Sequence, residues 1–180
     1  MIYVFLAEGF EEVEAVTPID FLRRCSLDVK LLGVGTKNVC GSHGISIICD
    51  SVADEAVFND KLEMIILPGG MPGTVNLEKS PIVQKAIDYC SDNSIYIAAI
   101  CAAPSILGHH GLLNGYEAIC FPGIEKELTG ATISKKCAVA DRKIITGKSA
   151  GAAIEFSLLL IEKLISKERA EKLKESLKCE

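Results

Sequence analysis

Cys101 closes the apolar run at 95–100 and stands directly before Ala102, Ala103 and Pro104, a segment able to open a helix. A cysteine on a strand-to-helix turn is carried out of the sheet and over the crevice beyond it, where a nucleophile can meet a substrate. Ala99 and Ala103 lie two residues before and after it, small enough for a sharp bend, as the glycines of G-x-S-x-G are around a serine. Pro104 suits a first helical turn, where no backbone donor is needed. The N-terminus of that helix is expected to favour thiolate over thiol and so to make Cys101 nucleophilic near neutral pH. An inert core thiol would use the same residue type, because free cysteine is among the most buried side chains.

A thiol nucleophile needs a proton carrier and a place for developing negative charge. Glu8, Glu11, Glu12 and Glu14 follow the first apolar run. One of them could be a general acid/base facing Cys101, and each could equally complement a helix dipole and face water. Spacing does not choose among them. The run at 64–67 ends in Pro68, Gly69 and Gly70, whose backbone amides could approach a reacting group as an oxyanion site or could form only a tight turn. Gly147, Lys148, Ser149, Ala150 and Gly151 precede the last apolar helix pattern, where amides could meet an anion; a plain turn reads the same. The stretch Gly33-Val-Gly-Thr-Lys-Asn38 fits neither phosphate-binding glycine motif and reads as a turn. His109 lies eight residues past Cys101, roughly 12 Å along a helix, so it and His110 read as dipole partners at the helix end before Gly111. His43 sits in a turn-rich segment and reads as a surface residue. With three histidines and no C-x-x-C pair, no metal is expected.

Positioning such residues takes an alternation of strands and helices. Strand-like runs at 2–7, 27–34, 45–49, 64–67 and 95–100 alternate with helical patterns at 11–24, 81–90 and after Cys101. Runs at 118–121, 132–139 and 143–146 follow, then helical patterns at 151–165 and 167–177. This β-α-β rhythm predicts a mostly parallel sheet with helices on both faces, with antiparallel pieces near Gly41 and Asp141. Sites in such sheets form beyond the carboxyl ends of the strands, which is where Glu8, Glu11, Glu12, Glu14, Gly69, Gly70 and Cys101 fall.

The 180 residues, 49% hydrophobic and without a low-complexity stretch, fit one globular domain over 1–180. With 19 basic and 24 acidic residues and no charge blocks, the chain has no nucleic-acid footprint. The late apolar stretch at 154–161 is interrupted by Glu155 and Ser157 and is far too short to span a bilayer. An apolar run begins at Ile2 with no basic segment before it, so no signal peptide and a cytoplasmic location are expected. Eight scattered cysteines in such a chain read as reduced thiols.

Taken together, the segments resemble the ThiJ/PfpI superfamily, in the branch of the parkinsonism-associated protein deglycase and its bacterial relatives. The carriers are Ala7-Glu-Gly-Phe-Glu-Glu-Val-Glu14, Leu67-Pro-Gly-Gly70, Ala98-Ala-Ile-Cys-Ala-Ala-Pro104, Cys120-Phe-Pro122 and Gly151-Ala-Ala-Ile-Glu-Phe156. The resemblance implies a flavodoxin-like α/β sandwich with a nucleophile elbow, usually a homodimer, acting without a cofactor. It implies Cys101 as nucleophile, Glu14 as its protonated partner, and the amides of Gly70 and Ala102 as oxyanion donors, with Gly69, Phe121, Pro122, Lys148 and His43 around the pocket. The implied activity is conversion of methylglyoxal or glyoxal to a hydroxy acid, or removal of early glycation adducts. The alternative is oxidative-stress sensing or chaperoning through oxidation of Cys101. Two departures stand out. Protease-like members carry a histidine directly after the cysteine, where this chain has Ala102, so a peptidase is disfavoured. Phe121 replaces the histidine of the human branch, and His43 and Lys148 fall where that branch has arginines.

Overall fold

A computed structural model describes residues 1–179. The first strand, β1 (Ile2–Leu6), is buried along its whole length, as expected of a strand covered on both faces. Its side chains alternate. Ile2, Val4 and Leu6 enter one core, while Tyr3 and Phe5 enter the other. Helix α1 (Glu12–Arg24) follows, and Ala15, Ile19 and Leu22 repeat at helical spacing to bury its inner face. Next come β2 (Val29–Gly33), the hairpin β3 (Asn38–Cys40) and β4 (Ser46–Ile48), and the short β5 (Ser51–Val52).

The central strand β6 (Met64–Leu67) leads into α2 (Gly73–Lys79) and α3 (Pro81–Asp92). Strand β7 (Tyr96–Ile100) leads through Cys101 into α4 (Pro104–His109), with Pro104 in its first turn. After β8 (Glu117–Ala118) and β9 (Thr132–Ile133), the chain forms β10 (Ala138–Asp141), β11 (Ile144–Gly147), α5 (Ala153–Leu164) and α6 (Lys167–Leu177).

The main sheet has seven strands in the order β10-β11-β7-β6-β1-β2-β5. Every pairing in it is parallel except β10 with β11. The expected flavodoxin-like α/β architecture is therefore present, with antiparallel pieces at the two anticipated places, the β3–β4 hairpin and the β10–β11 pair. Residues of α1, α5 and α6 share one core with the sheet, and residues of α3 and α4 share the other. The chain leaves β1 for β2 on one side and returns to pair β6 on the other. That reversal makes the carboxyl ends of β1 and β6 a switch point, the usual place for a site in an open α/β sheet. The anticipated run at 132–139 is two strands rather than one, and α2 was not anticipated, since Gly73 and Asn76 give its seven residues weak helix propensity.

Candidate active site

Cys101 has φ +65°, a left-handed conformation rare outside glycine, and it is half-buried. The bend is held from both sides. Its N–H donates to the carbonyl of Gly147 at the end of β11 (2.9 Å), and its carbonyl accepts from the N–H of Phe121 (2.7 Å). Strain of this kind, on the order of 1–3 kcal/mol, persists only where the surroundings over-determine it.

Glu14 is fully buried, two residues into α1, and its Oε2 accepts the Gly69 N–H at 2.9 Å. A β-carbon at Gly69 would lie 2.6 Å from that oxygen and 2.7 Å from the Cys101 β-carbon, so only glycine lets the carboxyl and the cysteine share this space. Glu14 Oε1 is buried without a well-formed hydrogen bond. Burial pushes the Glu14 carboxyl up to about 7, with the charge of Glu11 adding to the rise, against the hydrogen bonds with Cys101 and Gly69. Burial also raises the Cys101 thiol, and an ionised Glu14 raises it further, while the amides of Ala102 and Gly70 pull it down.

Two adjacent anions are thus disfavoured, and at neutral pH the pair keeps at least one proton. Placing it on Glu14 removes a buried carboxylate whose Oε1 lacks a partner. It also leaves the larger, more weakly hydrated sulfur to carry the charge against two amides and the carboxyl O–H. The lowered thiol expected from a helix N-terminus is not found. Helix α4 has only six residues and begins three residues after Cys101; the amides of Ala102 and Gly70, not a dipole, are what pull the thiol down, and burial with the Glu14 carboxyl outweighs them and holds it at about 12.

The remaining acidic residues separate clearly. Glu8 is exposed and accepts the Cys40 N–H. Glu12 is buried rather than water-facing: its Oε1 accepts the His43 N–H (2.8 Å), and its Oε2 lies 3.0 Å from His43 Nδ1. Although burial opposes ionisation, these bonds and the Ile45 amide hold Glu12 at about 2. His43 is raised by its hydrogen bond to Glu12 and by the charge of Glu11. His43 thus ties the β3–β4 hairpin to the start of α1 and makes no hydrogen bond to Cys101 among the described residues. The Glu12 contribution is complete above the unfolded carboxyl value of 4.5 and lost as pH falls towards about 2. The His43 contribution is complete below 6.5 and lost as pH rises through its raised folded value. Amide hydrogen exchange in residues 38–48 is therefore expected to be slowest between about pH 4.5 and 6.5 after correction for the intrinsic rate. Glu12→Gln should flatten that profile; a profile identical to wild type would remove this tether.

His109 bridges Glu78 and Glu127, and His110 reaches Gln84 and Asp88, so both lie at the far end of α4 as expected. Phe121 and Pro122 are exposed, with the Phe121 amide bonded to Cys101. Lys148 follows Gly147, and its charge lowers the Glu125 carboxyl after that group's backbone hydrogen bonds. A groove of about 320 Å³ lined by Cys137, Leu158, Leu159 and Lys174 shares no residue with the site. Sequence reasoning missed three main-chain groups: the Gly147 carbonyl, the Phe121 amide, and the Glu11 amide, which donates to the Gly69 carbonyl at 2.9 Å. No side-chain pattern signals them.

A thiol on a strained elbow above a parallel sheet, beside a buried carboxyl, defines a cysteine-centred site of an α/β protein. The model of the DJ-1/PfpI family matches residues 1–163. The chain belongs to that family. It is 35% identical over 168 residues to protein DJ-1 homolog B of Arabidopsis thaliana, covering 92% of this chain and 38% of that protein, so it spans about two fifths of that relative. It is 31% identical over 169 residues to a glutathione-independent glyoxalase of Caenorhabditis elegans, covering 92% and 89% of the two chains. The solved structure of oxidized Toxoplasma gondii DJ-1 superposes with a TM-score of 0.92 at 35% identity, over 98% of this chain and 96% of that one. No helix among the described residues is long and apolar enough to cross a membrane.

Proposed function

We propose that this protein is a cofactor-free cysteine enzyme acting on reactive dicarbonyls or early glycation adducts, turning methylglyoxal into lactate. The observation that carries this reading is the buried Glu14 carboxyl that shares the space over Gly69 with Cys101. In the reactive form Glu14 holds the proton and Cys101 is thiolate. The sulfur attacks the aldehyde carbon, and the carbonyl electron pair moves to oxygen, facing the amides of Gly70 and Ala102. That oxygen takes the Glu14 proton, giving a hemithioacetal. The Glu14 carboxylate then removes the hydrogen on the sulfur-bearing carbon, forming an enediolate, and returns it to the neighbouring carbon. The hydroxyl proton of the first carbon passes to the second oxygen, leaving a thioester of a hydroxy acid. Water adds to the thioester and expels the thiolate, one of its protons returning to the Glu14 carboxylate and the other leaving to solvent with the lactate. One carbon is oxidised and its neighbour reduced, so no external electron acceptor is needed. A relative named as a glutathione-independent glyoxalase supports the reading.

Product analysis of purified protein with methylglyoxal tests it. Lactate is expected from wild type and none above background from Cys101→Ala; equal yields from both would end the proposal. Peptide hydrolysis is disfavoured because Ala102 follows Cys101 and the three histidines bond elsewhere.

The rival fate of the same thiol is oxidative sensing, supported by the relative solved in an oxidized form. Under it, peroxide would modify Cys101 ahead of the other seven cysteines. A homodimer is supported by exposed Val13 and Val16 on α1 and exposed Ile45 and Ile48 of the hairpin, apolar side chains that a second copy would cover. Val16→Asp is expected to shift the sedimenting species from dimer to monomer.

A further inference from the structure

We propose that the main-chain N–H of Phe121, not its side chain, is a positioning group of the site, holding the peptide between Cys101 and Ala102 so that the Ala102 amide faces the sulfur. A trans peptide carries its C=O and N–H on opposite edges of one plane. The Cys101 carbonyl accepts the Phe121 N–H at 2.7 Å, and the N–H on the other edge of that plane is that of Ala102, an amide that pulls the Cys101 thiol down. The second amide is built alike. The Gly69 carbonyl accepts the Glu11 N–H at 2.9 Å, and the other edge of that peptide carries the Gly70 N–H, which pulls the same thiol down. Each donor is thus aimed by a hydrogen bond at its back, which also polarises the amide and strengthens it as a donor.

The segment carrying Phe121 is fixed for this role. The Ile119 N–H donates to the buried Thr146 hydroxyl at 2.9 Å, Cys120 is 1% exposed, and Pro122 confines the backbone of Phe121 to extended conformations. The Phe121 ring, by contrast, is 48% exposed. The order is in the main chain and the freedom is in the side chain. The requirement at this position is therefore an N–H, which every residue but proline supplies.

The proposal deepens the reading of Cys101 as nucleophile, and its test reads thiol chemistry without any aldehyde, so it stands or falls separately from the glyoxalase activity. Phe121 is replaced by its α-hydroxy analogue, which exchanges the N–H for an ester oxygen and keeps the ring. The pH profile of Cys101 alkylation by iodoacetamide is then compared with wild type and Phe121→Ala. The ester chain is expected to react about tenfold more slowly at neutral pH, with its midpoint raised by about one unit, the scale of one hydrogen bond. Phe121→Ala should stay within about twofold of wild type by the same reasoning. An ester profile matching that of Phe121→Ala, or a loss in Phe121→Ala equal to the ester's, overturns the proposal. If the ester chain fails to fold, Phe121→Gly decides: it loosens the backbone while keeping the N–H, and is expected to alkylate several-fold more slowly than Phe121→Ala. Equal rates for those two variants would overturn it as well.

Discussion

Glu14→Gln is expected to lower kcat/KM for methylglyoxal by about 10²- to 10⁴-fold, the cost of deleting a general acid/base. The amide keeps an oxygen for the Gly69 N–H and gains an N–H that can face the sulfur, so Cys101 alkylation should stay within about tenfold of wild type. The stability profile gives an independent sign. The carboxyl is raised from 4.5 to about 7 on folding, so the native state holds its proton more tightly than the unfolded chain. That stabilisation is complete below 4.5 and is lost as pH climbs through about 7, at no more than about 1.4 kcal/mol per unit. Because Glu14 and Cys101 titrate as a coupled pair, the loss belongs to the pair. Urea denaturation across pH 4 to 8 should therefore show a steeper decline in wild type than in Glu14→Gln, where His43 still titrates. Equal decline in both proteins, or turnover within tenfold of wild type, would reject Glu14 as the proton carrier.

Gly70→Ala is expected to be among the most damaging single-methyl additions in the chain. Gly70 has φ +93°, and a β-carbon there would lie 2.3 Å from the Glu11 nitrogen, 2.6 Å from the Gly9 oxygen and 2.6 Å from the Phe10 carbonyl carbon. All three are backbone atoms, so no rotamer change relieves the clash. Gly35 provides the control, with φ +75° and nothing within 4 Å of the place a β-carbon would take. Gly35→Ala should cost about 1 kcal/mol, from backbone strain alone. Gly70→Ala should exceed about 4 kcal/mol, the range reserved for a named structural fault. Urea midpoints measure both. A difference below about 1 kcal/mol between them would mean that the loop after β6 is pliable and that its amides are not held in place.

The legibility of these features in the sequence followed their physical origin. Strands β1, β6 and β7 are continuous apolar runs because both of their faces are covered, and Pro104 marks the start of α4 by its own chemistry. The Cys101 elbow was legible because small residues flank it. The choice among Glu8, Glu11, Glu12 and Glu14 was not. Glu12 and Glu14 are both buried at the same helix start and differ by what approaches them from elsewhere, His43 for one and Gly69 with Cys101 for the other. That difference belongs to tertiary packing, and only the family resemblance singled out Glu14. The helix-dipole account of the thiol failed because α4 is too short and because neighbouring letters carry no information on burial.

The strand order has a consequence for how the site comes into being. Its parts come from the ends of β1, β6, β7 and β11, and the bond from the Gly69 N–H to Glu14 spans 55 residues. No local segment contains two partners of the pair, so no hairpin or single β-α-β unit can form it in advance. Parallel pairings with long intervening chain are slow to close because loop entropy is lost before contacts repay it. During refolding, the distinctive reactivity of Cys101 should therefore arise with the last long-range pairing, after helical signal has largely returned. The thiol thus serves as a built-in reporter of completed topology.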